Sequence, residues 1–114
     1  MSRRRVVVTG LGIVSPVGSK IDTAWANIVA GRSGIGPITR FDVSRFSTRI
    51  GGAAKDFDRE RYLSDKDARK MDEFMHFGVG ACVDAIEDAG FKVDESNSGR
   101  VGIVFGSGIG GIET

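Results

Sequence analysis

Apolar residues recur through the middle of the chain at helical spacing. Met71, Phe74, Met75, Gly78, Val79, Cys82, Ala85, Ile86 and Ala89 share one stripe at about 100° per residue, with Val83 at its edge. Asp72, Glu73, His76, Asp84, Glu87 and Asp88 occupy the rest of the circumference. The pattern predicts a long amphipathic helix that begins near Ser64 and has its main body over residues 71–90. Ser64 is placed to cap the first turn, with Asp67 three residues on as its capping-box partner, and Gly90 is a natural stop. Gly78 lies inside the stripe although an interior helical glycine costs about 1 kcal/mol relative to alanine, so another backbone is expected to approach there.

Two β-branched runs flank this helix. Arg4 to Thr9 and Val101 to Phe105 each end in a glycine-rich turn and read as buried strands. After the first run, Leu11 to Gly18 is turn-rich. Asp22 or Thr23 can cap a helix running to about Ala30, with Trp25, Ile28 and Val29 on the face that packs back on the first strand, and Gly31 as its stop. Gly31 to Thr48 is broken by Gly34, Gly36 and Pro37 and reads as an irregular excursion, long for a small domain, with a brief strand at Ile50 to Ala54. Phe91 to Gly99 is a polar crossover into the last strand. Strand, helix, excursion, long helix and strand in that order give an α/β layer fold. A parallel strand needs both faces covered, and Val101 to Phe105 leads into Gly106 to Gly111 with no helix after it, so the expectation is a piece of a larger fold.

Charge narrows the function classes. Sixteen basic against fifteen acidic residues leave a net charge of +1, which argues against a general nucleic-acid binder, so an electrostatic partner must be met by a local patch. Lys66, Arg69 and Lys70, at i, i+3 and i+4, form such a patch at the start of the long helix. It is either a solvated face or the docking site of an acidic protein. One cysteine makes no internal disulfide and suits a reducing compartment. Arg3, Arg4 and Arg5 before Val6 to Val8 imitate a secretory signal, but Thr9, Gly10 and Gly12 interrupt the apolar run. No run approaches the ~20 apolar residues of a membrane-spanning helix, so a cytoplasmic location with no membrane insertion is expected.

Catalytic candidates are sparse. Cys82 and His76, six residues apart on the helix, are separated by a rotation of about 240° around its axis and make no nucleophile and base pair within it. Cys82 reads as a packed thiol and His76 as a solvated or hydrogen-bonded ring, and no metal site is expected from so few ligands. Gly106, Gly108 and Gly111 satisfy the G-x-G-x-x-G pattern after a strand, which leaves a nucleotide-binding α/β domain as an alternative to a tight packing turn. A standalone module binding an acidic protein through Lys66, Arg69 and Lys70 is a third reading.

Taken together, Arg4 to Gly18 resembles the N-terminal signature of the bacterial β-ketoacyl-acyl carrier protein synthases. Ala30 Gly31 Arg32 Ser33 Gly34 Ile35, then Arg69 Lys70 Met71 Asp72 with Phe74, then Gly106 to Gly111 fit the same family in order and spacing, and Ile109 between the glycines is closer to its synthase II branch. The resemblance implies the N-terminal portion of a thiolase-like layered αβαβα fold. Residues 1–114 would be an incomplete N-terminal half-domain with no internal boundary. It further implies a homodimeric acyltransferase of fatty acid biosynthesis that joins an acyl thioester to malonyl-acyl carrier protein by decarboxylative Claisen condensation, without cofactor, metal or nucleotide. The family's cysteine and two histidines have no counterpart here, since the chain holds one histidine and neither Cys82 nor His76 matches them by position. No residue is therefore assigned as catalytic, and the 114 residues alone are expected to be inactive. Lys66, Arg69 and Lys70 match positions that dock acyl carrier protein, and Ile109 matches one lining the acyl pocket.

Overall fold

The computed structural model describes residues 2–112. Its helices are α1 (Ile21–Val29), α2 (Asp65–Ala68) and α3 (Glu73–Asp88), and its strands are β1 (Ile35–Pro37) and β2 (Ile50–Gly52). Single 3-10 turns stand at Arg59–Arg61 and Ser98–Arg100.

Both long helices stop as their glycines predict. Gly31 (φ 68°) follows α1 and Gly90 (φ 62°) follows α3, each in the left-handed region that a side chain disfavours. Paired bonds close the ends: Gly31 and Arg32 N–H donate to Ile28 and Asn27, and Gly90 and Phe91 N–H donate to Glu87 and Ile86. This is the Schellman arrangement, which satisfies carbonyls left without helical partners. The start of α1 differs from expectation. Lys20 occupies the cap position without a side-chain bond, and Asp22 sits inside the first turn, where its charge favours the helix dipole.

The helix expected from Ser64 onward is two helices. Ser64 Oγ accepts from Asp67 N–H at 3.1 Å and donates to the Asp67 carboxylate at 2.8 Å, so the cap forms as read. After one turn the bonds tighten to i−3 at Lys70 and Met71, and Asp72 takes an extended conformation that starts α3 afresh. His76 bridges the break: its Nε2–H donates to the Ala68 carbonyl at 2.9 Å, an oxygen that also accepts the i−3 bond from Met71 N–H.

The excursion from Gly31 to Thr48 contains β1, which pairs antiparallel with β2 in the register Ile35 with Gly52 and Pro37 with Ile50. Neither Arg4 to Thr9 nor Val101 to Phe105 enters a ladder among the described residues, contrary to the strand reading. Val6 and Val104 are 94% and 98% exposed. A β-branched run sets a conformational preference, but a strand exists only through a hydrogen-bonding neighbour, and none of the described segments supplies one.

The turn after the first run and Phe105 of the second are nevertheless placed against α3. Gly10 and Gly12 lie so close that a Cβ would fall on the carbonyl oxygens of Ala85 and Ala81, and Leu11 N–H donates to the Asp88 carboxylate at 2.9 Å. The close backbone approach expected at Gly78 therefore occurs here instead. At Gly78 the neighbour is the Phe105 ring, 3.4 Å from a Cβ position, in ordinary contact. Gly80 makes room for Phe57 and Tyr62, whose rings stack with centroids 5.5 Å apart.

Ala24 and Ala68 are the buried apolar residues, and no large side chain is fully enclosed among the described residues. Trp25, Ile28 and Val29 do not pack back on the first strand but stay exposed, because α1 docks through Ala24 onto the Gly18 turn. The accessible surface is 9462 Å², against about 6,000 Å² for a self-contained chain of this mass. The radius of gyration of 17.4 Å likewise exceeds the roughly 13 Å of a compact domain. The excess has the size of a large obligate interface, and it carries the apolar faces of α1, Val6 to Val8 and Ile103 to Phe105.

Candidate functional site

Lys66 lies on α2, Arg69 caps its C-terminus, and Lys70 follows in the tight turn, so Lys66 and Lys70 project away from buried Ala68 and Arg69 stands between them and Ala68. All three are exposed. The Arg69 Nε–H donates to the Asp65 carbonyl at 3.2 Å, which fixes the base of that side chain. Asp65 and Asp67 flank the cations on either side, yet each carboxylate is engaged: Asp65 by Arg59 at 2.6 Å, Asp67 by the Ser64 hydroxyl. With Arg59 offsetting Asp65, three cations stand against the one carboxylate of Asp67, and the outward charge is positive although the local sequence alternates in sign. Beside it opens a groove of about 410 Å³ bordered by Arg59, Asp65, Ala68, Arg69 and His76.

The glycine turn folds onto the start of α3. A Cβ at Gly110 (φ 78°) would lie 3.3 Å from the Phe74 ring, and one at Gly111 would meet the Asp72 carboxylate. A carboxylate against the turn repels phosphate, so Gly110 and Gly111 serve close packing on α3 rather than a pyrophosphate cradle, while Gly106 and Gly108 stand in open space. Ile109, 81% exposed, projects from the same turn. Just before it, Ile103, Phe105 and Ser107 face the α3 stripe across an almost wholly apolar groove of about 440 Å³ that includes Phe74, Val79, Cys82 and Ile86. Cys82 is therefore a half-buried thiol in an apolar wall, separate from His76, whose Nε2 is committed to Ala68. The two do not meet, and among the described residues no group of three metal-binding side chains assembles.

One polar cluster had no signal in the sequence. Asp84 on α3 accepts from Lys20 Nζ at 3.0 Å and from the Tyr62 hydroxyl at 2.9 Å, Tyr62 also accepts from Lys20 at 2.6 Å, and Arg61 bridges to Glu87 at 2.9 Å. Burial pushes the Asp84 carboxyl up, but the bonds from Lys20 and Tyr62 and the charges of Lys20 and Arg61 outweigh it and hold it below the usual carboxylate value. The bond to Tyr62, opposed by burial and aided by Asp84, holds the Lys20 ammonium above its ordinary value. Because the folded Asp84 value is depressed, its stabilisation is complete above the unfolded value and is lost as pH falls through the folded one. The cluster ties the start of α1, the 3-10 turn at Arg59–Arg61 and α3 together, and it leaves the basic patch on a fixed base.

A turn of glycines thus packs on the start of α3, Gly10 and Gly12 pin the N-terminal segment to the same helix, and a capped turn with three exposed cations precedes it. The chain belongs to the β-ketoacyl synthase family, whose N-terminal domain its residues 3–114 match. It is 53% identical over 113 residues to a 3-oxoacyl-(acyl-carrier-protein) synthase 2 of Vibrio cholerae, and 46% identical over 113 residues to one of Synechocystis. Each alignment covers 99% of this chain and 27% of the relative, so the chain spans about a quarter of the length of these proteins. Its fold is the thiolase-like one of the ketosynthases: it superposes on the ishigamide ketosynthase/chain length factor with a TM-score of 0.73 at 36% identity, over 80% of this chain and 23% of that one.

Proposed function

We propose that the chain is part of the N-terminal half-domain of a synthase II type 3-oxoacyl-acyl carrier protein synthase, a cytoplasmic homodimer that elongates fatty acyl chains. In that reaction an acyl group held as a thioester is attacked by the enolate formed when malonyl-acyl carrier protein loses carbon dioxide, and the displaced thiol leaves a 3-oxoacyl product two carbons longer. The observation that supports this reading most is the family match from residue 3 to residue 114, together with the synthase 2 name of the Vibrio and Synechocystis relatives. Among the described residues no helix is long and apolar enough to cross a membrane, in keeping with the location proposed.

Within this enzyme the residues described here position and bind. Lys66, Arg69 and Lys70 form the surface on which the acidic carrier protein docks, steered by long-range attraction. Ile109 borders the acyl pocket, where its size limits how long a chain can enter.

The test is an assay of the full-length gene product with acyl and malonyl carrier proteins, the product being read by mass. A 3-oxoacyl product two carbons longer is expected from the full-length protein and none from the 114-residue chain alone, which holds one cysteine and one histidine. Absence of product from the full-length protein would sink the assignment. Ile109→Phe in the full-length enzyme should shift the preferred acyl substrate to shorter chains. An unchanged chain-length profile would remove Ile109 from the pocket.

A further inference from the structure

We infer that Arg59, which stands outside the basic trio, is a positioning residue of the docking surface: it pairs with the Asp65 carboxylate, offsets its charge beside the face that meets the acidic partner, and so keeps Asp65 from pairing with Arg69. The inference rests on the docking role proposed for Lys66, Arg69 and Lys70.

Around α2, Asp65 and Arg69 are one turn apart on the same side, the spacing at which a carboxylate and a cation pair. An unclaimed Asp65 would therefore pair with Arg69 and quench it, and would present a negative charge to an acidic protein. Geometry prevents this. The Arg59 guanidinium holds Asp65 Oδ1 at 2.6 Å, while its distance to Glu60 is 3.9 Å, so Asp65 is its main partner. Arg69 is bound instead to the Asp65 backbone carbonyl through Nε. On the other flank the Ser64 hydroxyl occupies Asp67. Arg59 comes from the preceding 3-10 turn and borders the same groove as Asp65 and Arg69, and its side chain is 30% exposed against 75% for Asp65. The Lys66 and Lys70 ammonium groups make no hydrogen bond or ion pair among the described residues, which leaves their charge available.

The experiment uses the full-length enzyme and compares a carrier-protein substrate with the same acyl group on pantetheine, which has no protein surface. Arg59→Gln should raise KM for the carrier substrate by about two- to fivefold at low salt, as expected for loss of one exposed ion pair. It should leave kcat and the pantetheine reaction unchanged. Adding Asp65→Asn should restore KM, because the carboxylate that Arg59 held is then absent, and the thermal midpoint should match wild type. A carrier KM unchanged in Arg59→Gln, or a loss that Asp65→Asn does not restore, would overturn the role of Arg59. If charge reversal at Lys66 and Arg69 still weakens carrier use in that case, the docking surface stands without it. If those reversals are also silent, the docking reading fails and this inference fails with it.

Discussion

Reversing Lys66 and Arg69 to glutamate together should lower kcat/KM for a carrier-protein substrate by about 10- to 100-fold at low ionic strength. The two changes turn the outward face of α2 from positive to negative, so an acidic partner that was steered in is repelled. Both side chains are exposed, and the helix that carries them is anchored by Ser64, Arg59 and His76 rather than by the cations, so the fold should be retained. The salt dependence gives a second readout. Wild-type activity should fall as salt screens the attraction over a Debye length of about 8–10 Å, whereas the reversed enzyme should show a flattened response. Equal kcat/KM values with an altered melting midpoint would place these residues among ordinary solvated charges.

Gly12→Ala should destabilise the full-length enzyme by about 1–3 kcal/mol, at the upper end of that range, because overpacking is relieved least when the obstacle is backbone. The added Cβ falls on the Ala81 carbonyl, which belongs to α3 and cannot rotate aside. Gly106→Ala is the matched control, since a Cβ there meets nothing within 4 Å. Chemical denaturation of the two variants should separate them clearly. Indistinguishable midpoints would mean that the N-terminal run does not lie on α3 in this register.

What the sequence disclosed follows from the range over which each signal acts. The α3 stripe, the Ser64 cap and the stops at Gly31 and Gly90 depend on residues three to six apart, and each appears in the structure where its spacing put it. The division between α2 and α3 was hidden because Met71 and Phe74 keep helical spacing across it. The clue was Asp72, a capping residue type followed by Glu73, which together suit the start of a helix. Lys66, Arg69 and Lys70 were legible as a patch for the same local reason. Arg59 and Asp65, six apart across a turn, were not, nor was Asp84, which meets Tyr62 from 22 positions away and Lys20 from 64. Such pairs depend on how segments dock, which no local spacing encodes. The strand readings at Arg4 to Thr9 and Val101 to Phe105 failed for a related reason: propensity is written in a run, but a ladder needs a second run beside it.

The contact of Gly10 to Gly12 with α3 also sets an order of events at the ribosome. The Leu11 N–H and the carboxylate that receives it are 77 positions apart, and at about 5–20 residues per second the second is synthesised roughly 4–15 s after the first. For that interval Val6 to Val8 emerge without the helix that will hold their neighbours, as an uncharged apolar run of the kind that associates with other nascent chains. Arg3, Arg4 and Arg5 stand directly before it. Three positive charges at that position are placed as gatekeepers against such association, and because Val6 to Val8 stay exposed after Leu11 has docked on α3, their effect outlasts that interval.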